Sequence, residues 1–133
     1  MRNLIMKNLF ALRPSVEFSP SVLDDWQLKL LSISDWADYQ TEKHLGKKYE
    51  LVIMEDNHEG EGYEKGSNNY EKFYVKMPHD KQMPVDVGDI VKIVGIKKLK
   101  IYGKWSDGLT CEAQGLVSPE EYDRLKAQQK QQH

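Results

Sequence analysis

The hydrophobic and polar positions of this chain repeat with the two-residue period of β-strands over much of its length. The clearest case is residues 70–77, where Phe73, Val75 and Met77 share one parity and polar or aromatic side chains occupy the other. Pro78 cannot donate a hydrogen bond to a sheet and ends the pattern. This segment is predicted to be a strand with one face in a core and the other exposed.

Four other segments are predicted to be strands from their content of β-branched and aromatic residues. They are residues 26–36, in which a change of parity indicates a bulge, and residues 49–55, 87–102 and 109–117. Gly95 divides the long segment 87–102 into two halves, as expected of a strand that bends at a bulge. The pattern predicts a mostly β fold, a five-stranded OB-type Greek-key barrel, with an SH3-like barrel as the alternative.

Both ends of the chain differ from this central part. Residues 1–25 contain Pro14, Pro20 and scattered serines without a sustained period, and we expect an N-terminal arm with one short helical turn. Ser118, Pro119 and Glu121 have the spacing of a helix cap, so a C-terminal helix is predicted there, fraying into a glutamine-rich tail. The predicted organisation is an arm at 1–25, a barrel at 26–117, and a helix and tail at 118–133.

Composition limits the chemistry that such a domain can perform. Cys111 is the only cysteine, so neither an intrachain disulfide nor a cysteine-based zinc site is expected, and its parity places it in the core. The four histidines are scattered, and the sequence has no Ser–His–Asp arrangement, phosphate-binding glycine loop or dinucleotide fingerprint. We therefore expect a protein without enzymatic activity, cofactor or metal.

Two polar features bear on location and on metal binding. Arg2 and Lys7 interrupt the apolar N-terminus, so no signal peptide or membrane span is predicted and a cytoplasmic protein is expected. An acidic run could offer oxygen ligands to a cation. It consists of Glu55, Asp56, Glu59, Glu61 and Glu64, with His58 among them. Glycines at positions 60, 62 and 66 make rigid coordination unfavourable, so a solvated loop is the preferred interpretation.

Charge is distributed unevenly along the chain, although the formal net charge is only −2. Residues 17–64 contain twelve acidic residues and four lysines, whereas residues 70–104 contain eight lysines and four acidic residues. Lysines on strand edges can serve solubility alone. They also provide the positive surface that a polyanionic ligand requires.

The exposed parity of residues 70–77 alternates aromatic rings with positive charges. Tyrosine rings can stack on nucleic-acid bases while neighbouring lysines neutralise phosphates, and even positions of the next strand and the turn after it continue the pattern. The candidate nucleic-acid-binding residues are Tyr70, Lys72, Tyr74, Lys76, Lys92, Lys98, Lys100, Tyr102, Lys104 and Trp105. An ordinary solvated strand face is the alternative interpretation.

Two stretches of the sequence resemble a known group of proteins. They are KKYELVIMEDN at residues 47–57 and YEKFYVKMPHDKQMPVDVGDIVKIVGIKKLKIYGKWSDGLTCEAQGLV at residues 70–117, the latter with two prolines and a Val-Gly-Asp turn between Pro78 and Val91. This order of strands and turns resembles small OB-type proteins of conjugative plasmids and integrative conjugative elements of Gram-positive bacteria. That group includes single-stranded DNA-binding proteins and helicase-processivity factors.

The resemblance and the exposed strand face together support two hypotheses. The leading one is a single-stranded DNA-binding protein with little sequence preference, serving conjugative transfer or plasmid or phage replication. The alternative is a non-catalytic module that binds a relaxase, a helicase or another transfer protein, and a plasmid or phage regulatory role is a third possibility. The apolar residues of the N-terminal arm could also join copies of the chain into a homo-oligomer.

Overall fold

The computed structural model describes residues 20–60, 63–102 and 108–131. A 3-10 helix, Pro20–Asp25, is followed by strands β1 (Trp26–Ala37), β2 (His44–Asp56), β3 (Lys72–Met77), β4 (Ile90–Tyr102) and β5 (Gly108–Val117), and then by helix α1 (Pro119–Gln131). The prediction of a mostly β fold with five strands and a C-terminal helix is confirmed. Residues 1–19 of the predicted arm and the last two residues of the predicted tail lie outside the described residues.

The five strands close into a barrel in the order β1-β2-β3-β5-β4, with β4 returning to β1. β3 and β5 run parallel to each other, and the other neighbouring strands are antiparallel. The β1–β2 pairing extends over the whole of β1, whereas β1 meets β4 through two residue pairs, Leu28 with Val91 and Lys29 with Ile90. The barrel is therefore a mixed sheet with one short closing seam.

The core consists of side chains that strand alternation points into the barrel. On β3 these are Phe73, Val75 and Met77, none of which is more than 1% exposed, in agreement with the predicted parity. Trp26 is fully buried, and its ring centroid lies 5.9 Å from that of Phe73. Cys111 is also fully buried, as its parity predicts. Because this parity of β3 is buried, the other parity must face outward.

Two strands begin later than the sequence pattern predicts. Tyr70 has a φ of 69°, which lies in the left-handed region and outside the extended range of a strand, so β3 begins at Lys72. Gly88 has a φ of 98° in the turn before β4, so β4 begins at Ile90 instead of residue 87. Backbone conformation at turn residues therefore overrides side-chain alternation at both places.

β2 begins earlier than predicted, at His44 instead of residue 49. Gly46 explains how the extra residues pair, because a Cβ atom at this position would lie 1.9 Å from the backbone oxygen of Met77. The glycine lets β2 pass close to the end of β3. The sequence HLGKK lacks a run of β-formers, and this extension depends on pairing with β1 and not on propensity.

The long strand β4 bends as predicted from Gly95, which has a φ of 64°. The register with β5 shifts between Ile96 and Lys98, so Lys97 is the additional residue of a bulge. The bulge comes two residues after the glycine. Val91 and Ile93 before the bend and Ile101 after it are all buried, so odd positions face the core at both ends of β4.

A buried carboxylate ties the β2–β3 connection to the barrel. Asp56 is 1% exposed, and its Oδ1 accepts hydrogen bonds from Trp26 Nε1 at 2.9 Å and from the backbone N–H of His58 at 3.1 Å. Its Oδ2 accepts hydrogen bonds from the Tyr63 hydroxyl and from the backbone N–H of Asn68. Burial and the Asp56 carboxylate raise the pKa of the Tyr63 hydroxyl, which therefore remains a donor. These four donors compensate for the burial of the Asp56 charge.

The hydrogen bonds of Asp56 change the interpretation of the acidic run to which this residue belongs. The carboxylate is occupied by donors of its own chain, so Asp56 differs from the solvated residue that the sequence predicts. Among residues 20–60, 63–102 and 108–131, no three acidic, histidine or cysteine side chains converge as a metal site would require. Glu61 lies outside the described residues.

Helix α1 packs against β4 and the 3-10 helix. Its predicted cap is confirmed, because the backbone N–H of Glu121 donates to Ser118 Oγ at 3.2 Å. The Glu121 carboxylate pairs with Arg124. Tyr122 donates from its hydroxyl to Asp24 Oδ1 at 2.5 Å, which joins the helix to the start of the barrel. In the part of the chain that the structure describes, no helix combines the length and the apolar character needed to cross a membrane.

The folded unit begins before the predicted boundary between arm and barrel. Val22 and Leu23 in the 3-10 helix are 3% and 4% exposed and belong to the core. The short helical turn predicted in the arm is therefore part of the barrel's packing.

Candidate functional site

A row of charged side chains crosses four strands on the outside of the barrel. It runs from Lys48 on β2 through Lys76 on β3 and Glu112 on β5 to Lys98 on β4, each residue being the Cα partner of the next. Neighbouring strands lie about 4.8 Å apart, so the row spans roughly 14 Å. Lys76 and Lys98 are both Cα partners of Glu112, so the registers of β5 with β3 and with β4 place the two lysines on the same side of the sheet.

A second row lies beside the first. It runs from Glu50 through Tyr74 and Thr110 to Lys100, again as consecutive partners on β2, β3, β5 and β4. Beyond it, Lys72 lies on β3 opposite Val52, and Tyr102 lies on β4 opposite Gly108. A Cβ atom at Gly108 would come within 2.4 Å of the Tyr102 ring, so the glycine leaves the space that this ring occupies.

Two aromatic rings of this surface carry lysine ammonium groups. Lys48 Nζ lies 4.6 Å from the centroid of the Tyr74 ring, and Lys76 Nζ lies 5.6 Å from the centroid of the Trp36 ring at the end of β1. Each ammonium group is attracted to the electron-rich face of its ring. These contacts hold two lysines and two aromatic rings together in one small area.

We call this surface the lysine face, and define it by the outward residues of the two rows and their neighbours. Its members are Trp36, Lys48, Glu50, Lys72, Tyr74, Lys76, Lys98, Lys100, Tyr102, Thr110 and Glu112. Its five lysines and two glutamates leave an excess of three positive charges, although the whole chain carries a formal charge of −2. The lysine face is therefore a local positive surface with three aromatic side chains in it.

Lys48 is the least exposed charged residue of the lysine face. It is 6% exposed and stands directly opposite Lys76. Burial lowers the pKa of Lys48, the positive charge of Lys76 lowers it further, and the carboxylate of Glu50 opposes both effects. Like charges at directly opposed positions of a sheet destabilise it. Positions where charge is held against such a cost are frequent in binding and catalytic sites.

Six of the ten predicted binding residues belong to the lysine face. They are Lys72, Tyr74, Lys76, Lys98, Lys100 and Tyr102. Lys104 and Trp105 lie outside the described residues. Tyr70 does not share the β3 face because it precedes the strand in a turn, where its side chain is 70% exposed. Its positive φ breaks the alternation that the sequence pattern assumes.

Lys92 also lies away from the lysine face. Its ammonium group donates to the backbone oxygens of Asp24 at 3.1 Å and Trp26 at 3.4 Å, and lies 6.0 Å from the Tyr122 ring centroid. Six residues separate it from Lys98, roughly 20 Å of strand. Lys92 therefore joins the start of the barrel to helix α1, a role that parity along β4 does not reveal.

The sequence prediction missed Lys48 and Trp36, which complete the lysine face. Extending the alternation of Tyr49, Leu51 and Ile53 back by one residue would have placed Lys48 outward beside the third strand. These three residues are indeed buried, with Tyr49 at 3% exposure. Trp36 had no comparable signal, because its position depends on the register between β1 and β2.

Tyr39 is a further aromatic residue that the sequence prediction missed. It lies in the β1–β2 turn and is 87% exposed. Asp38 Oδ1 accepts hydrogen bonds from the backbone N–H groups of Gln40 at 2.9 Å and Thr41 at 2.8 Å, and these bonds lower the pKa of the Asp38 carboxyl. The turn therefore holds an exposed tyrosine beyond the strand that ends at Trp36.

Comparison of the chain with protein-family models, with curated proteins and with solved structures gives no match.

Proposed function

We propose that this chain is an OB-type barrel that binds single-stranded DNA with little sequence preference through the lysine face. The observation that carries the proposal is the close grouping of Lys48 and Lys76 with the rings of Tyr74 and Trp36. The proposed setting is conjugative transfer or plasmid or phage replication, which follows from the resemblance of residues 47–57 and 70–117.

The strand connectivity supports the OB-type part of the proposal. In the order β1-β2-β3-β5-β4 the last strand lies between the third and the fourth and runs parallel to the third. A small barrel made only of antiparallel hairpins, the arrangement of the SH3-like alternative, has no such pair. The connection between β3 and β4 contains no helix, in line with the short proline-flanked segment in the sequence.

The chemistry of the lysine face favours a single strand over a duplex. Tyrosine and tryptophan rings can stack on bases only where these are unpaired, and each stacked base contributes about 1–3 kcal/mol. The lysines neutralise phosphates and release counterions, which requires no particular sequence. The overall negative charge of the chain opposes long-range attraction of DNA, so we expect modest affinity at physiological salt.

The experiment that tests the proposal is fluorescence anisotropy of a labelled oligo-dT and of a duplex of equal length, titrated with the protein at low and physiological salt. We expect selective binding to the single strand. The slope of log K against log salt should be about −2 to −3.5, because contacts with three to five phosphates contribute about −0.7 each on a single strand. Absence of binding at low salt would overturn the proposal.

Matched variants distinguish the effect of losing a lysine of the lysine face from the effect of losing one positive charge elsewhere on the protein. Lys76→Met removes a charge from the lysine face, whereas Lys81→Met removes one from an exposed lysine in the β3–β4 connection. Lys81 lines a groove with Ile33 and Tyr49, which point to the opposite side of the β1–β2 sheet from Lys48. We expect Lys76→Met to weaken oligo-dT binding and Lys81→Met to leave it nearly unchanged.

The alternative role as a protein-interaction module predicts a different result. In that case both lysine variants would behave like wild type in binding to a relaxase, helicase or other transfer protein, and oligo-dT would bind weakly or not at all. Tyr74→Ala gives a second comparison, since it removes stacking without changing charge. Equal oligo-dT affinity of Tyr74→Ala and wild type would contradict the stacking part of the proposal.

A further inference from the structure

One edge of strand β1 is paired over only part of its length. β2 pairs with the whole of β1 on one side, whereas on the other side β4 pairs with Leu28 and Lys29 alone. The backbone N–H of Gly88, just before β4, donates to the Leu30 carbonyl at 2.7 Å. Among the described residues, no strand pairs with that side of residues 32–37. An edge of this kind can accept an additional strand.

The backbone groups that point out of this edge belong to Ile33 and Asp35. On β2, Ile53 exchanges backbone hydrogen bonds with the residues just before β3. Because the direction of these bonds alternates along a strand, the even-numbered residues 46–50 of β2 bond towards β1. Their Cα partners on β1 are Ser32, Ser34 and Trp36. The N–H and C=O groups of Ile33 and Asp35 therefore point away from β2.

Residues 32–37 lack two common protections of a sheet edge, because they contain neither proline nor lysine. Asp35 could repel an added strand through its charge. Its carboxylate, however, accepts a hydrogen bond from Lys47 Nζ on β2 at 2.8 Å, which neutralises the charge within the chain's own sheet. Strand addition at this edge is therefore not opposed by a buried or unpaired charge.

The regular part of the edge is symmetric about one residue. The register between β1 and β2 shifts on both sides of residues 32–36, whose midpoint is Ser34. If this stretch pairs antiparallel with itself about Ser34, Ile33 of each copy lies opposite Asp35 of the other. Each such pair exchanges two hydrogen bonds, and the two Asp35 carboxylates are not directly opposed. We infer that two copies of this chain dimerise by pairing β1 with β1 about a two-fold axis at Ser34.

The exposed apolar side chains favour a second copy as the occupant of this edge. The exposed large hydrophobic side chains of the described residues are Ile33, Tyr39, Tyr70 and Val87. All except Tyr70 lie along the edge: Tyr39 follows it in the β1–β2 turn, and Val87 precedes the glycine that bonds to Leu30 at its other end. In the antiparallel pair, the end of one stretch meets the start of the other. Tyr39 of one copy therefore comes next to Val87 of the second.

The symmetry also determines where the two lysine faces lie. Ser34 and Trp36 are Cα partners of Lys48 and Gly46, so they lie on the same side of the sheet as the lysine face. Antiparallel pairing keeps each side of a sheet continuous across the new seam. The dimer therefore presents both lysine faces on one side, with the two Trp36 residues near the axis.

The first test measures mass without DNA, so its result is independent of the proposed function. Interfaces that bury less than about 1,200 Å² are typically weak, and a seam of one short strand belongs to this class. In sedimentation equilibrium of the full chain we expect the average mass to rise with concentration towards twice that of one chain. A mass equal to one chain at every concentration up to the millimolar range would overturn the inference.

Ile33→Pro tests whether the backbone of β1 makes the contact. Proline removes the outward N–H and is tolerated at an edge position whose N–H does not bond within the sheet. We expect dimerisation to weaken about tenfold or more, because one donor is lost from each copy. Ile33→Ala is the matched control, since it shortens the same side chain and keeps the donor, and it should dimerise more strongly than Ile33→Pro. Equal dimerisation of the two variants would contradict pairing through this edge.

Disulfide formation tests the symmetry without disturbing the strand. The two Ser34 residues form a pair without hydrogen bonds between them, in which the Cβ atoms are close enough for a disulfide. We expect Ser34→Cys to form a covalent dimer when diamide takes up the two electrons and two protons of the thiols. Ser32→Cys is the control, because the two copies of residue 32 lie about 13 Å apart along the strands. The native Cys111 is buried and does not compete.

The outcomes separate a second copy from other occupants of the edge. A covalent dimer of Ser34→Cys, with Ser32→Cys remaining monomeric, supports the two-fold pairing. Equal cross-linking of both variants would overturn the register. No cross-linking of either variant would overturn the dimer, and would leave this edge of β1 to a strand from a different protein.

Discussion

Replacing Lys48 by methionine should make the folded protein more stable while it weakens DNA binding. Methionine keeps nearly the length of the lysine stem and removes the ammonium group. In the folded state that group is 6% exposed and opposite Lys76, and both burial and Lys76 lower its pKa. The charge therefore lowers the free energy of unfolding of the wild type at neutral pH.

The size of the effect follows from the contacts that change. Loss of the like-charge pair with Lys76 should contribute about 0.2–1 kcal/mol of stability. The cation–ring contact with Tyr74 is lost, but a methionine sulfur over the ring supplies a contact of similar size, about 0.3–1.5 kcal/mol. We expect Lys48→Met to raise the free energy of unfolding by about 0.5–1 kcal/mol, with a rise in Tm of about 2–6 °C.

The pH dependence of the free energy of unfolding shows independently whether the Lys48 charge stabilises or destabilises the fold. A lysine whose folded pKa is below its ordinary value of 10.5 destabilises the fold wherever it is charged in both states. As the pH rises through the folded pKa towards 10.5, the folded state loses its proton first and this destabilisation disappears. The stability advantage of Lys48→Met should therefore be largest at neutral pH and should shrink as 10.5 is approached.

Urea denaturation of wild type and Lys48→Met between neutral pH and 10.5 measures the difference in their free energies of unfolding and how that difference changes with pH. Lys81→Met serves as the matched control, because it removes an exposed charge and should change stability by less than about 0.5 kcal/mol. A Lys48→Met protein that is less stable than wild type at neutral pH, or whose advantage grows with pH, would refute the reasoning.

Three further predictions concern other parts of the molecule. Asp56→Ala leaves three buried donors and one partly buried donor without their acceptor and should lower the free energy of unfolding by about 3–5 kcal/mol, whereas Glu55→Ala at the exposed neighbour should have little effect in the same urea titration. Glu112→Gln removes a negative charge from the lysine face and should tighten oligo-dT binding in anisotropy titrations, with unchanged or weaker binding contradicting the assignment of that surface. Burial raises the pKa of the Cys111 thiol from 9.0 to about 12, so a thiol reagent at pH about 8 should label it only as fast as the protein unfolds. The stability of wild type relative to Cys111→Ala should fall as the pH rises from 9.0 towards 12, because the unfolded thiol ionises first.

The sequence predicts those elements whose signals are local. The alternation of Phe73, Val75 and Met77 identifies the inner face of β3, and the spacing of Ser118 and Glu121 identifies the cap of α1. Both depend on residues within one element. Strand number, the bend at Gly95 and the C-terminal helix were predictable for the same reason.

The composition of the lysine face was only partly predictable, because it depends on register between strands that are distant in sequence. Lys48 and Lys76 meet through the β2–β3 register, and Trp36 joins them through the β1–β2 register. The alternation of residues within one strand predicts neither of these two registers. Lys92 shows the opposite error, since its parity suggested exposure while helix α1 and the 3-10 helix meet at its position.

The position of β5 in the barrel has a consequence for how the chain folds. This strand is the last to be synthesised, yet it lies between β3 and β4 and pairs with both. β1, β2 and β3 can pair in sequence as a meander, but the ring stays open until β5, which carries Cys111, has inserted between β3 and β4. Contacts between segments so far apart in sequence slow folding. A nascent or truncated chain that lacks residues 108–117 would expose the edge of β3, and with it a template for aggregation.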